Sequence, residues 1–160
     1  MTNILQPADI IDIGIEKEKK RRDFYAIAAD KFKDNIDLAE LFGKLRDWEE
    51  DHITRFEEIR TEVTGGHYAE SFPGEIEAYM QALIDSELYS DITPEGFTSI
   101  VKGPGDALDI GIRFEKDAIL FFNGLSRFVD EKMREITKKL VEEEQQHLIY
   151  LHNMKNDMGL

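Results

Sequence analysis

The chain has 160 residues, with 20 Lys and Arg against 34 Asp and Glu, a net charge of −14, four His and no Cys. So acidic a chain repels phosphate unless its few cations cluster, which argues against nucleic-acid binding, and the lack of Cys excludes thiolate zinc sites, Fe–S clusters, thiol catalysis and disulfides. The longest apolar runs are short, such as Ile119 to Phe122, and no signal-peptide pattern opens the chain, so the expectation is a single soluble, cytoplasmic domain over residues 1–160 that does not enter a membrane.

Apolar residues recur at alternating spacings of three and four, the mark of helices that bury one stripe. The first stripe, in a helix predicted over about 8–34 after a start at Pro7 and Asp9, runs Ile11, Ile15, Glu18, Arg22, Tyr25, Ala29, Phe32. The second, over about 37–64, runs Leu38, Leu41, Leu45, Trp48, His52, Phe56, Ile59, Val63 and stops at Gly65-Gly66. The short connection between them makes the pair antiparallel. Residues 65–105, punctuated by Pro73-Gly74, Pro94 and Gly103-Pro104-Gly105, read as a crossover with one short helix over about 74–89. A third long helix over about 106–129, with Asp106 as its N-cap, carries Leu108, Ile112, Glu115, Ile119, Phe122, Ser126 and Val129. The fourth, over about 131–156, carries Met133, Ile136, Leu140, Glu143 or Glu144, His147, Leu151 and Met154. The fold class is therefore all-α: a four-helix bundle of two antiparallel helix pairs joined by a long crossover.

The halves are related. Asp12-Ile13-Gly14-Ile15 matches Asp109-Ile110-Gly111-Ile112 at an offset of 97, which also places Glu18 on Glu115 and Tyr25 on Phe122; an offset of 95 places Glu49 on Glu144 and His52 on His147. Charged and imidazole side chains interrupt the stripes at one level only, as Glu18, Glu49 with His52, Glu115, and Glu144 with His147. Each E-x-x-H pair projects from one helix face, one turn apart. Glu18 lies about 17 residues before the first turn and Glu49 about 14 after it, so at ~1.5 Å per residue both sit roughly 21 to 26 Å from that end. All six groups can meet in the middle of the bundle. Four carboxylates buried together cannot all stay ionised without cations. Two divalent ions resolve this, with two carboxylates bridging and one His on each ion, and ligation by O and N without sulfur suits iron or manganese, with zinc also possible.

One Glu on each of two helices plus E-x-x-H on each of the other two resembles the ligand set of ferritin-like di-iron carboxylate proteins. Helix order, crossover and the spacing of seven from Glu18 to Tyr25 look most like the rubrerythrin branch, over about residues 9 to 155. The resemblance implies two iron ions per chain, with Glu49 and Glu144 bridging, Glu18 and Glu115 terminal, and His52 and His147 one to each iron. It further implies an oxidoreductase that reduces hydrogen peroxide, or dioxygen, and forms a homodimer. Rubrerythrins usually add a rubredoxin module with four Cys; this chain has none, so electrons would come from a separate donor such as a rubredoxin-like protein. They also carry an additional Glu one turn beyond the helix-three ligand, where this chain has Ala118, which leaves redox-linked exchange between a carboxylate and a His without its carboxylate.

Two other functions suit the same pattern: a ferroxidase that handles iron, as ferritins do, and a metal-free helical adaptor. Around the six residues, Tyr25 is read mainly as core, with a hydroxyl able to reach a ligand carboxylate as a possible supporting group. Arg22, on the stripe, either pairs near the metals or bends out to solvent, the latter favoured. Trp48 is read as packing, His67 and His152 as surface residues, and Lys17 to Arg22 and part of Glu142 to Glu144 as solvated helix faces.

Overall fold

The computed structural model describes residues 6–66, 74–85 and 93–160, which contain six helices and no strand. Helix α1 (Pro7–Lys31) starts with Pro7 in its first turn, where a missing N–H costs nothing, and the Gln6 N–H donates to Asp9 Oδ2 at 3.0 Å. It ends at Lys31, short of the expected 34, because the chain turns back with the Asn35 N–H donating to Phe32 O at 2.9 Å. Asn35 then caps α2 (Ile36–Thr64), accepting from the Leu38 N–H at 3.2 Å. Gly65-Gly66 closes α2, with Gly66 at φ +102°, a conformation that favours glycine.

Among the described residues the crossover holds two helices where one is expected. Helix α3 (Gly74–Ile84) matches the start of the expected 74–89 segment, whose end lies outside the described residues, as does His67. Helix α4 (Pro94–Ile100) was not expected; Thr93 caps it, its Oγ1 accepting from the Gly96 N–H at 3.0 Å, with Pro94 in the first turn. Helix α5 (Pro104–Leu125) starts earlier than expected, with Gly103 at the N-cap. Asp106, assigned that role from the sequence, sits inside the first turn and accepts from the Lys102 N–H at 2.8 Å. Because α5 stops at Leu125 rather than 129, Asn123-Gly124 falls in its last turn, where a Cβ on Gly124 would lie 2.2 Å from Met80 Sδ. The glycine there lets α3 dock. Asp130 caps α6 (Glu131–Asp157), accepting from the Met133 N–H at 3.0 Å.

Helix α1 packs on α2 and α5, and α6 on α5 and α2, closing a four-helix bundle. The crossover lies outside it, α3 against α5 and α4 against α1, where Phe24 meets Phe97 with ring centroids 5.1 Å apart. The core is split in two. One half gathers Ile11 and Ile15 of α1 with Phe56 and Ile59 of α2, Phe121 and Phe122 of α5 and Leu140 of α6. The other gathers Phe24 and Ala28 with Leu41 and Leu45, Leu108 and Phe114, and Leu151. The start of α1 thus shares a half with the ends of α2 and α5, as antiparallel pairing requires. Between the halves lies the level of the charged residues.

The repeated Asp-Ile-Gly-Ile has a packing reason. A Cβ on Gly14 would stand 2.7 Å from the Phe56 ring and 2.9 Å from Phe121, and one on Gly111 3.2 Å from Leu151 and 3.3 Å from Tyr25. The basic run from Lys17 to Arg22 is only in part the solvated face expected: Lys20 is exposed and Lys19 and Arg22 partly so, but Lys17 and Arg21 are buried. Lys17, only 7% exposed, donates to Asp117 Oδ2 and to Leu83 O, both at 3.0 Å, tying α1 to α5 and α3. Burial lowers the Lys17 pKa while Asp117 opposes that shift.

Gly14→Ala is expected to cost about 1–3 kcal/mol through overpacking. Gly43→Ala on α2, where no atom stands within 4 Å of the added carbon, is expected to gain about 0.5–1 kcal/mol. Urea unfolding of the metal-free chain measures both, and a neutral Gly14→Ala would contradict so close an approach of the helices.

Candidate metal centre

The polar layer contains Glu18, Glu49, His52, Glu115, Glu144 and His147, each 4% exposed or less. They come from four helices: Glu18 from α1, Glu49 and His52 from α2, Glu115 from α5, Glu144 and His147 from α6. In the bundle they form two groups of four in which potential ligand atoms lie within 4.8 Å of one another, Glu18, Glu49, His52 and Glu144, and Glu49, Glu115, Glu144 and His147, while His52, Glu144 and His147 also meet that distance across the two. Glu49 and Glu144 belong to both.

The shared carboxylates face both ways. Glu144 turns Oε1 toward His52 Nδ1 at 3.1 Å and Oε2 toward His147 Nδ1 at 2.8 Å; Glu49 turns Oε2 toward His52 Nδ1 at 3.6 Å and Oε1 toward His147 Nδ1 at 3.7 Å. Each imidazole thus presents Nδ1 inward. The remaining two carboxylates each serve one side, with Glu18 Oε2 3.6 Å from His52 Nδ1 and Glu115 Oε2 3.8 Å from His147 Nδ1.

Among the described residues, the buried side-chain atoms left without a hydrogen-bond partner are Glu18 Oε2, Glu49 Oε1, His52 Nδ1, Glu115 Oε2 and Glu144 Oε1. All five point into this layer. A buried polar atom without a partner costs about 1–3 kcal/mol, more when charged, so five of them in one place mark a space made for something that accepts lone pairs. A pair of divalent cations fits that donor set: oxygen and imidazole ligands, no sulfur, and two carboxylates able to span both positions.

The groups around the layer hold it in place. The Tyr25 hydroxyl, fully buried, donates to Glu115 Oε1, so its partner is the Glu of the other half rather than Glu18. Burial first, then the Glu115 charge, raises the Tyr25 pKa well above its ordinary value, so the proton stays on the phenol. Glu143 on α6, half-exposed, lies 3.0 Å from His52 Nε2 and accepts from Arg55 Nη1 at 2.7 Å; the His52 contact first, then Arg55, lowers its pKa to about 2. A carboxylate on the outer nitrogen fixes the ring and favours ligation through the inner one. His147 is steadied by stacking, its ring 4.8 Å from Trp48, which in turn stacks on Tyr150 at 5.6 Å.

Arg21 completes the layer, and the sequence reading missed it. Only 2% exposed, it donates through Nη2 to Glu18 Oε1 and through Nε to Glu49 Oε2 at 3.5 Å. Its neighbour Arg22, which the stripe had singled out, bends outward to Glu50 at 2.8 Å, as the favoured alternative had it. Glu18 is followed by basic residues at both i+3 and i+4, and helical spacing alone does not say which turns inward. His152 is exposed, as expected, and pairs with Asn156. A pocket of about 380 Å³ opens between α2 and α6 on the imidazole side, lined by His52, His147, Trp48, Arg55, Glu143 and Tyr150 among others.

Without metal, protons stand in for cations. Burial opposes it, but contacts with Glu115, Glu144 and Glu49 push the His147 pKa up to about 12, and His52 is likewise raised well above its ordinary value against burial, chiefly by the Glu144 charge. Glu115 is pushed up to about 8 by burial and then by the charges of Glu144 and Glu49; Glu144 is lowered to about 2, the imidazoles outweighing its burial and the charge of Glu49. Groups with raised pKa values bind protons more tightly in the folded chain, so their stabilisation is lost as pH climbs from the unfolded to the folded value. That window starts near 4.5 for Glu115 and 6.5 for the imidazoles. The lowered carboxylates act only below it. The metal-free protein is therefore expected to lose stability between about pH 5 and pH 8, while its Mn²⁺ affinity rises, since metal displaces the same protons. Unfolding midpoints and metal titrations at several pH values measure both, and stability that rises with pH across this range would refute the proton count.

A family model described as rubrerythrin matches residues 9–155. No curated protein and no solved structure matches the chain. With a match over nearly its whole length and the expected bundle, the chain belongs to the rubrerythrin family of ferritin-like di-iron proteins.

Proposed function

We propose that this protein is a non-haem di-iron oxidoreductase that reduces hydrogen peroxide, or dioxygen, with electrons from a separate one-electron donor protein. The observation that carries the reading is the pair of carboxylates, Glu49 and Glu144, each turning one oxygen to either side of a layer that holds five unpartnered atoms. Glu18, His52, Glu115 and His147 would complete the two positions. Ferrous iron bound there would supply one electron per ion, and with two protons the reduction of hydrogen peroxide yields two waters.

The chain's own residues prepare the site for that task. The apolar halves of the core exclude water above and below the layer, which strengthens every electrostatic contact within it. Tyr25 holds a proton on its phenol oxygen against Glu115 Oε1, and so leaves Oε2 as the free oxygen of that carboxylate. Glu143 and Arg55 hold His52 from the pocket side, and that pocket, of about 380 Å³, is lined by both imidazoles and offers a small oxidant its approach to the layer. A metal-free adaptor would gain nothing from gathering four carboxylates in its core, where protons and Arg21 would have to compensate them.

Glu49→Ala and Glu144→Ala are each expected to abolish paired metal binding, measured as metal content after loading with Fe(II) without oxygen; two irons per chain retained in either variant would refute the bridging roles. Stopped-flow oxidation of the Fe(II)-loaded chain by peroxide and by O₂ in parallel tests the substrate. Faster reaction with peroxide, with iron retained, is expected. Preference for O₂ with release of Fe(III) would make the protein a ferroxidase instead.

A further inference from the structure

We infer that Arg21 is a built-in counter-charge that makes the two metal positions unequal: the Glu115–His147 position binds first and tightly, and the Glu18–His52 position binds second and weakly. The inference rests on the di-metal reading and goes beyond it, because the internal repeat by itself implies two equivalent positions.

Around this layer the repeat is broken on α2 and α6, where Glu143 and Arg55 on the His52 side correspond at the offset of 95 to Trp48 and Tyr150 on the His147 side, and on α1 and α5, where the break changes what holds the carboxylates. Arg21 and Tyr25 of α1 correspond, at the offset of 97, to Ala118 and Phe122 of α5, neither of whose side chains can donate a hydrogen bond to a carboxylate. Both donors therefore come from one half, yet they serve opposite sides. Tyr25 is neutral and holds Glu115 Oε1. Arg21 is a cation, and it holds Glu18 Oε1 and Glu49 Oε2, the oxygen that Glu49 turns toward His52. Two carboxylates of the Glu18–His52 position are thus already engaged by a fixed positive charge, while among the described residues the side chain that donates to Glu115 is a neutral phenol; the Glu143 carboxylate outside His52 is itself paired with Arg55 and leaves that balance unchanged.

Charge balance points the same way. Four ionised carboxylates with Arg21 carry a net charge of −3. One divalent ion leaves −1, and a second carries the layer to +1 rather than to zero. A guanidinium stays charged at any accessible pH and cannot give up a proton to make room, and in a layer closed off from water its repulsion of a neighbouring dication is poorly screened. The second ion must enter against that repulsion or bring an anion with it. Arg21 is a positioning residue in this scheme: it sets the order of loading and touches no substrate.

Titrating the metal-free, full-length chain with Mn²⁺ and following it by EPR tests the inference without any turnover. An isolated Mn²⁺ and a spin-coupled pair give different spectra, so the order of loading is read directly. The wild-type chain is expected to show mononuclear signal up to one equivalent and coupled pairs only beyond it, with affinities one to two orders of magnitude apart, roughly the effect of a single adjacent charge. Glu18→Gln should abolish the weak step and spare the tight one, and Glu115→Gln the reverse. Arg21→Met should bring the two affinities within a few-fold of each other. Arg21→Lys, which keeps the charge without the fork, should preserve the gap. Should Arg21→Met fail to fold, the two Gln variants still identify which position is tight. Equal affinities in the wild type, the opposite assignment from the Gln variants, or a gap that survives Arg21→Met would overturn the role of Arg21 alone. A chain that binds no Mn²⁺ would overturn the di-metal reading, and this inference with it.

Discussion

Burying four carboxylates between two apolar half-cores is the constraint around which this molecule is organised. In a weakly polar interior like charges cannot coexist without compensation, and this layer meets the demand with several cations at once. Arg21 is permanent, the two imidazoles hold protons that a metal can replace, and Glu115 keeps its own proton when none has. What the layer still lacks is visible in the atoms left without partners, all of which face its interior. Glu49 and Glu144 each turn one oxygen to either side of that interior.

The surrounding fold serves to hold that layer at one height. Antiparallel pairing at similar distances from the connecting turns brings Glu18 to Glu49 and Glu115 to Glu144, and the glycines of the repeated Asp-Ile-Gly-Ile bring α1 and α5 close to the helices they face. The crossover is fixed on the outside by a buried ion pair and by a glycine, with Lys17 reaching both Asp117 and Leu83 and Gly124 receiving Met80. Pseudo-twofold symmetry would make the two sides of the layer alike. The residues one and two turns beyond the terminal carboxylates, Arg21 and Tyr25 in one half and Ala118 and Phe122 in the other, remove that likeness. The two halves thus keep the same carboxylates and imidazoles at matching positions and differ in the side chains that support them.

Several features were open to reading from residues alone, for a definite reason. A buried stripe interrupted at one level by Glu and His at helical spacing, repeated at a constant offset, leaves those side chains nowhere to go but inward. The bundle, the crossover and the convergence of Glu18, Glu49, His52, Glu115, Glu144 and His147 follow from periodicity, because periodicity is a property of local backbone geometry. Helix α4 was open to the same reading through Thr93 and Pro94, a cap followed by a first-turn proline, but the proline was taken as punctuation only.

Tertiary structure alone decided the partners. Whether Arg21 or Arg22 turns inward, whether Tyr25 bonds the carboxylate of its own half or of the other, and whether Glu143 reaches His52 all depend on which helix stands opposite and at what rotation. One turn of helix offers neighbours at i+3 and i+4 on nearly the same face, and a difference of one position is settled by the packing of the facing helix. The amino-acid order determined which side chains are buried together; only the assembled bundle determined which of them touch, and so where the charge at the centre is held and where it is left wanting.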